Sequence, residues 1–100
     1  MILTIFRYRL NESAEQEYRD LLPRIVALAE TMQGFLSRKT FVAEDGERVI
    51  LVEFEDETSQ RNWARHPEHV AAKTKGRERF YSEYSIQICN VVRESKFSAK

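Results

Sequence analysis

Apolar and polar residues along this chain fall into alternating blocks with two different periods. Ile2 to Arg9 carries apolar residues on both of its period-two faces, Ile2, Phe6 and Tyr8 on one and Leu3 and Ile5 on the other, which predicts a strand covered on both sides. Tyr18, Leu21, Leu22, Ile25, Leu28, Ala29 and Met32 then recur at helical spacing, the stripe of a one-faced amphipathic helix. Ser13 with Gln16 fits a capping box, and Gly34 suits the residue that ends the helix. Glu15–Arg19 and Asp20–Arg24 stand at i,i+4 on the opposite face, and Pro23 predicts a kink or a local break.

Phe35 to Ala43 and Glu47 to Glu55 read as two strands around Glu44-Asp45-Gly46, a hairpin signal. Ile50, Val52 and Phe54 share one face of the second. Asp56 is placed to cap a short helix containing Trp63. Pro67 suits the first position of another, with Gly76 after its end. Tyr84 to Arg93 reads as the last strand.

The order β-α-β-β-α-β, with the second helix broken, predicts an α+β ferredoxin-like sandwich: a four-stranded antiparallel sheet with its helices on one face. Residues 1–93 form the domain and 94–100 a polar tail, in which only Phe97 is strongly apolar. Because helices cover one side while the strands are apolar on both, the open face calls for a homodimer, sheet against sheet.

Composition narrows the partners. Sixteen Lys and Arg balance sixteen Asp and Glu, so the basic excess typical of nucleic-acid binding is missing. No apolar run approaches the roughly 20 residues of a membrane span. The start lacks the basic region of a signal peptide, and one cysteine, Cys89, excludes an internal disulfide. These features predict a reduced, cytoplasmic protein without nucleic-acid or membrane partners, in which Cys89 is a structural thiol.

Gly34-Phe35, the stretch Glu47 to Glu55, Trp63-Ala64-Arg65-His66-Pro67-Glu68-His69, Gly76-Arg77 and Phe80-Tyr81 together resemble the antibiotic biosynthesis monooxygenase (ABM) family, over roughly Ile2 to Arg93. The resemblance implies a dimeric α/β barrel with a ligand cavity between helices and sheet in each subunit. It also implies cofactor-independent oxygenation of phenolic or quinol-like polyketides, or haem degradation. The absence of a compact catalytic motif keeps a third reading beside these, a non-catalytic barrel that binds a small apolar ligand.

The first role needs a base, donors for an oxyanion and a dry cavity. His69, with an ordinary pKa near 6.5, is the candidate base, and Trp63 is a candidate wall for a flat aromatic substrate. Tyr81, Tyr84, Arg77 and Asn90 are candidates to orient or stabilise the anion, and Phe6 and Phe54 to line the cavity. No cofactor or metal is then required. His66 and His69 stand i,i+3 across Pro67, but a third ligand of fitting type is missing.

For haem, the resemblance implies an Asn on the first strand, a Trp on the second helical segment and an axial His further along it. Trp63 matches. The first strand offers Arg7 and Arg9 instead of Asn, and Ala72 or Lys73 aligns with the axial position, one helical turn beyond His69. Haem therefore remains the alternative cofactor, with His69 as its ligand.

Overall fold

The computed structural model describes residues 1–99. Its elements are β1 (Ile2–Leu10), α1 (Glu15–Glu30), β2 (Phe35–Val42), β3 (Arg48–Phe54), α2 (Glu57–Ala64), α3 (Pro67–Lys75) and β4 (Tyr81–Asn90). The strands form one antiparallel sheet in the order β2-β3-β1-β4, the ferredoxin-like arrangement predicted from the pattern. β1 lies at its centre, paired with β3 from Ile2↔Phe54 to Tyr8↔Arg48 and with β4 from Ile2↔Asn90 onward.

Several local expectations are corrected. Ser13 caps nothing: the chain enters α1 through a tight 3-10 turn, Glu12–Ala14, and no side chain caps either start. Asn11 instead ties the turn to the segment just before β4, its Nδ2 donating to the Arg79 carbonyl. The helix runs through Pro23 without a break, since a proline removes one hydrogen bond and a packed apolar stripe on both sides can hold the flanking turns. Arg19 pairs with Glu15, but Arg24 reaches across to Glu68 on α3 and Gln16 takes Asp20.

Gly34 has a positive φ of 84°, yet it lies beyond the helix cap, Thr31. Its smallness serves a close approach, because a Cβ there would stand 2.2 Å from the Ser59 Oγ on α2. Gly76 does not stop α3 by turning left-handed. The backbone continues into a wider π-type turn, Gly76–Phe80, and the Tyr81 ring packs where a Gly76 Cβ would be. That turn leads straight into β4, which begins at Tyr81 and ends at Asn90, three residues earlier at each end than the apolar pattern suggested.

Other signals hold. Asp56 accepts from the Ser59 backbone N–H at 2.8 Å, and Gly46 turns the hairpin with a φ of 91°. His66 caps α3, its Nδ1 accepting from the Glu68 N–H.

The core on the helix side of the sheet is split. Tyr8, Ala14, Tyr18 and Phe80 form one buried cluster, and Ala29, Phe54 and Trp63 form the other. The outer face carries half-buried Leu3, Ile5, Val49, Leu51 and Cys89. Arg7 and Arg9 also stand there, paired with Glu47, and with Asp45 and Glu83.

Candidate functional site

Between the helices and the sheet lies a cavity of about 430 Å³ whose wall draws on both core clusters. By the usual penalty per unit of void volume, a dry hole of 430 Å³ would cost ~10 kcal/mol, as much as the whole stability of a small domain. It is therefore a ligand-sized space rather than a packing defect. Its floor is the helix-facing row of the sheet, including Thr4, Phe6, Ile50, Val52 and Phe54. Its roof comes from α1, and one side from α2, α3 and the π-type turn. On the β4 side it opens: Tyr84, Ile86 and Ile88 line it while 41–52% exposed.

Trp63 and His69 meet on the wall. The short helix α2 buries Trp63 to 7% exposure, and α3, starting at Pro67, brings His69 one layer away. Their rings stack with centroids 4.1 Å apart and planes 11° from parallel. His69 Nδ1 lies 3.1 Å from the Trp63 carbonyl. A carbonyl only accepts, so Nδ1 carries the proton and Nε2 is the bare nitrogen of a side chain that lines the cavity.

Burial against this wall pushes the His69 pKa down to about 4, with the nearby Lys73 and His66 charges adding to the effect and the carbonyl opposing it. From its residue type alone His69 is expected to be a base of ordinary pKa. The folded chain holds a neutral, weaker one, which gains basicity only when an anion forms beside it.

The shift carries a stability signature. Between pH 6.5 and about 4 the unfolded chain binds a proton at His69 that the folded chain excludes. Stability is therefore complete above pH 6.5 and falls with pH through that window, by up to ~3 kcal/mol. Denaturant midpoints followed from neutral pH down to 4 should show this loss. His69→Asn, whose amide can still donate to the Trp63 carbonyl, should flatten it; parallel curves for the two proteins would contradict a neutral buried imidazole.

Of the other residues singled out from the sequence, Phe6, Phe54, Tyr81, Tyr84 and Arg77 also line the cavity. Tyr81 sits edge-on to Phe6 and Tyr8, and burial raises its pKa, so it remains a neutral phenol. Arg77 is exposed. Asn90 stands apart, exposed at the end of β4 and paired with Ile2.

Thr4, Tyr18, Arg38 and Lys73, which carry no such signal in the sequence, also stand on the wall. Tyr18 shares a 2.7 Å hydroxyl contact with Tyr8, and burial raises its pKa too. Lys73 Nζ donates to the Ala64 carbonyl at 2.8 Å. Among the described residues, no group of three or more His, Cys, Asp or Glu side chains is arranged to hold a metal ion, and no helix is long and apolar enough to cross a membrane.

Comparison with known proteins agrees with this architecture. The chain is 31% identical over 80 residues to the uncharacterized protein YqjZ of Bacillus subtilis, covering 80% of this chain and 70% of that one. Among solved structures, Rv0793 from Mycobacterium tuberculosis superposes with a TM-score of 0.82 at 16% identity, over 95% of this chain and 98% of that one. SnoaB from Streptomyces nogalater, described as a cofactor-independent oxygenase, superposes with a TM-score of 0.78 at 15% identity, over 93% and 94%. These two likenesses establish the fold. The model of the antibiotic biosynthesis monooxygenase family matches residues 1–75, three quarters of the sequence, and with that match and the YqjZ relationship the chain belongs to the antibiotic biosynthesis monooxygenase family.

Proposed function

We propose that the protein is a cofactor-independent monooxygenase of small aromatic phenols or hydroquinones, working as a homodimer. The observation that carries the reading is His69 on the wall of an aromatic cavity, with its Nδ1 held by the Trp63 carbonyl and its Nε2 left bare. A flat phenol lying in the cavity places its hydroxyl against Nε2. Proton transfer to Nε2 leaves an electron-rich anion, and the ion pair so formed raises the basicity of the imidazole at the moment it is needed.

The anion passes one electron to dioxygen. The resulting radical pair combines at a ring carbon bearing hydrogen, and the hydroperoxide loses water to leave a carbonyl. One oxygen atom stays in the product, the other leaves as water, and no external reductant is consumed. Tyr81, a neutral donor, steadies the anion, and the stacked Trp63–His69 pair keeps the base in one orientation. The fold-level likeness to SnoaB, whose description is that of a cofactor-independent oxygenase, supports the same reaction class by analogy.

The test is oxygen uptake with a panel of naphthalenediols and related hydroquinones in buffer free of metal and flavin. Turnover is expected, with a single labelled oxygen incorporated from dioxygen, and His69→Ala should slow it by about 10²–10⁴-fold. No turnover by the native protein across the panel would overturn the oxygenase and leave a barrel that only binds small ligands.

Haem fits the residues poorly. Arg7 and Arg9 point to the outer face of the sheet in ion pairs, and Ala72 and Lys73 occupy the wall one turn beyond His69. An axial ligand is what a haem site can least do without, and neither Ala72 nor Lys73 supplies an imidazole there. An unchanged visible spectrum on adding haem is expected. A saturable shift at one equivalent per subunit, lost in His69→Ala, would replace the oxygenase with a haem protein.

The dimer forms through the outer face, where Leu3, Ile5, Val49 and Leu51 have no helix above them and Phe41 is 46% exposed. Phe97, 90% exposed in the tail, docks on the partner. Light scattering at micromolar concentration should give twice the chain mass, and a clean monomer would remove this part of the proposal.

A further inference from the structure

Two buried polar side-chain atoms among the described residues have no hydrogen-bond partner, the Thr4 Oγ1 and one Nη of Arg38, and both belong to residues of the cavity wall. They are not scattered. Arg38 on β2 pairs with Val52 on β3, Val52 pairs with Thr4 on β1, and Thr4 pairs with Ile88 on β4. One cross-strand row on the helix-facing side thus carries both orphans, their backbones two strand spacings, about 10 Å, apart. Thr4 is 8% exposed. The Arg38 charge is close enough to act on the buried Tyr18 hydroxyl.

The charge of the wall is one-sided. Arg38, Lys73 and Arg77 line the cavity, and no Asp or Glu among the described residues does. Lys73 is engaged by the Ala64 carbonyl and Arg77 lies exposed, which leaves Arg38 as the inward cation without a partner. A guanidinium with a buried, unpaired N–H is expensive to hold in a fold. Its fork geometry pairs bidentately with a planar carboxylate, the anion that an aromatic acid would bring into an aromatic-walled cavity.

The geometry points to an anion subsite on the cavity floor, in which Arg38, aided by the Thr4 hydroxyl, binds the carboxylate of an aromatic acid. The inference rests on the cavity being the substrate site and narrows the substrate class from phenols in general to hydroxyaryl carboxylates. The carboxylate at the β2 side of the floor fixes how the ring lies between Phe6 and Trp63. The reacting hydroxyl is then turned toward His69, so Arg38 is a binding and specificity residue rather than a base.

The experiment is calorimetric titration of the native protein with 2-naphthoate and with its neutral isostere 2-naphthamide, at neutral pH and low salt. The naphthoate is expected to bind at least about tenfold tighter. Arg38→Met should abolish that preference by weakening naphthoate alone, Arg38→Lys should keep part of it, and Thr4→Val should lose a smaller share. Equal binding of the two probes, or an undiminished preference in Arg38→Met, overturns the subsite while leaving the cavity intact as a binding site. Failure of both probes to bind the native protein overturns the cavity reading and the subsite with it.

Thermal unfolding supplies a second readout. If Arg38 is kept for a ligand, Arg38→Met without ligand melts at or above the native temperature, because an unpaired buried charge has been removed. A clear drop in Tm would assign Arg38 a structural role and overturn the proposal.

Discussion

Truncating Trp63 to alanine lowers the free energy of unfolding by about 3–5 kcal/mol, the range for deleting a buried large aromatic. That is a large share of the roughly 5–15 kcal/mol available to a domain of this kind. The indole is 7% exposed, packs in the cluster with Ala29 and Phe54, and covers one whole face of the His69 ring. The same substitution lets water reach the imidazole. Relief of desolvation, the main cause of its depressed pKa, should move the His69 titration up from about 4 toward the ordinary 6.5. Imidazole proton shifts followed by NMR against pH measure this directly. Trp63→Phe, which keeps a ring in place, should lose less stability and move the titration less. An unmoved pKa in both variants would mean that burial by Trp63 does not set it.

Gly34→Ala should be nearly as damaging, although it adds only one methyl group. The backbone there sits at a φ of 84°, which a side chain resists, and the new Cβ would stand 2.2 Å from the Ser59 Oγ. Backbone strain and overpacking together cost about 2–5 kcal/mol. The effect is not confined to the loop, because Ser59 belongs to the first turn of α2 and its N–H is held by Asp56. Displacing Ser59 therefore displaces the helix that carries Trp63. Adding Ser59→Gly removes the collision and leaves the φ strain, so the double variant should recover part of the loss and show coupling in a double-mutant cycle. Denaturant unfolding of the four proteins tests it, and strictly additive effects would exclude the contact as the cause.

The elements were legible where one residue type can meet the physical demand. Asp-Gly between two alternating stretches leaves little besides a hairpin, Pro67 after His66 marks a helix start, and the Ile50, Val52, Phe54 alternation assigns the inner face of β3. Trp63 and His69 were legible as a pair of candidates, but not as stacked rings, because their meeting depends on the angle between two short helices. Ser13 misled because its pattern serves a cap only if the chain enters the helix directly, and a 3-10 turn intervenes.

Arg38 was hidden for a sharper reason. Counting alternate residues from Phe35, which packs inward, would send Ser37, Lys39 and Phe41 to the core and Arg38 to solvent. A bulge between Phe35 and Ser37 shifts the register by one, and a one-residue shift exchanges the two faces of everything that follows. A single sequence does not mark such a bulge. The candidate anion subsite thus depends on an irregularity that periodicity cannot reveal, whereas the aromatic wall follows from ordinary apolar patterning.

The pairing of β1 with β4 also governs the order in which the molecule is completed. Ile2 faces Asn90 across the ladder, so β1 waits for β4, the last of the four strands in chain order, before the sheet closes. β3, next to β1 through Ile2↔Phe54, is available much earlier. A nascent chain can therefore build the β1–β3 ladder with α1 packed on it while one edge of β1 stays bare. Contacts so distant in sequence slow the final step relative to the local ones. Tyr84, Ile86 and Ile88 all ride on the late strand, so the cavity gains its last wall only once β4 has been made. Folding and the acquisition of binding competence should then finish in the same kinetic phase.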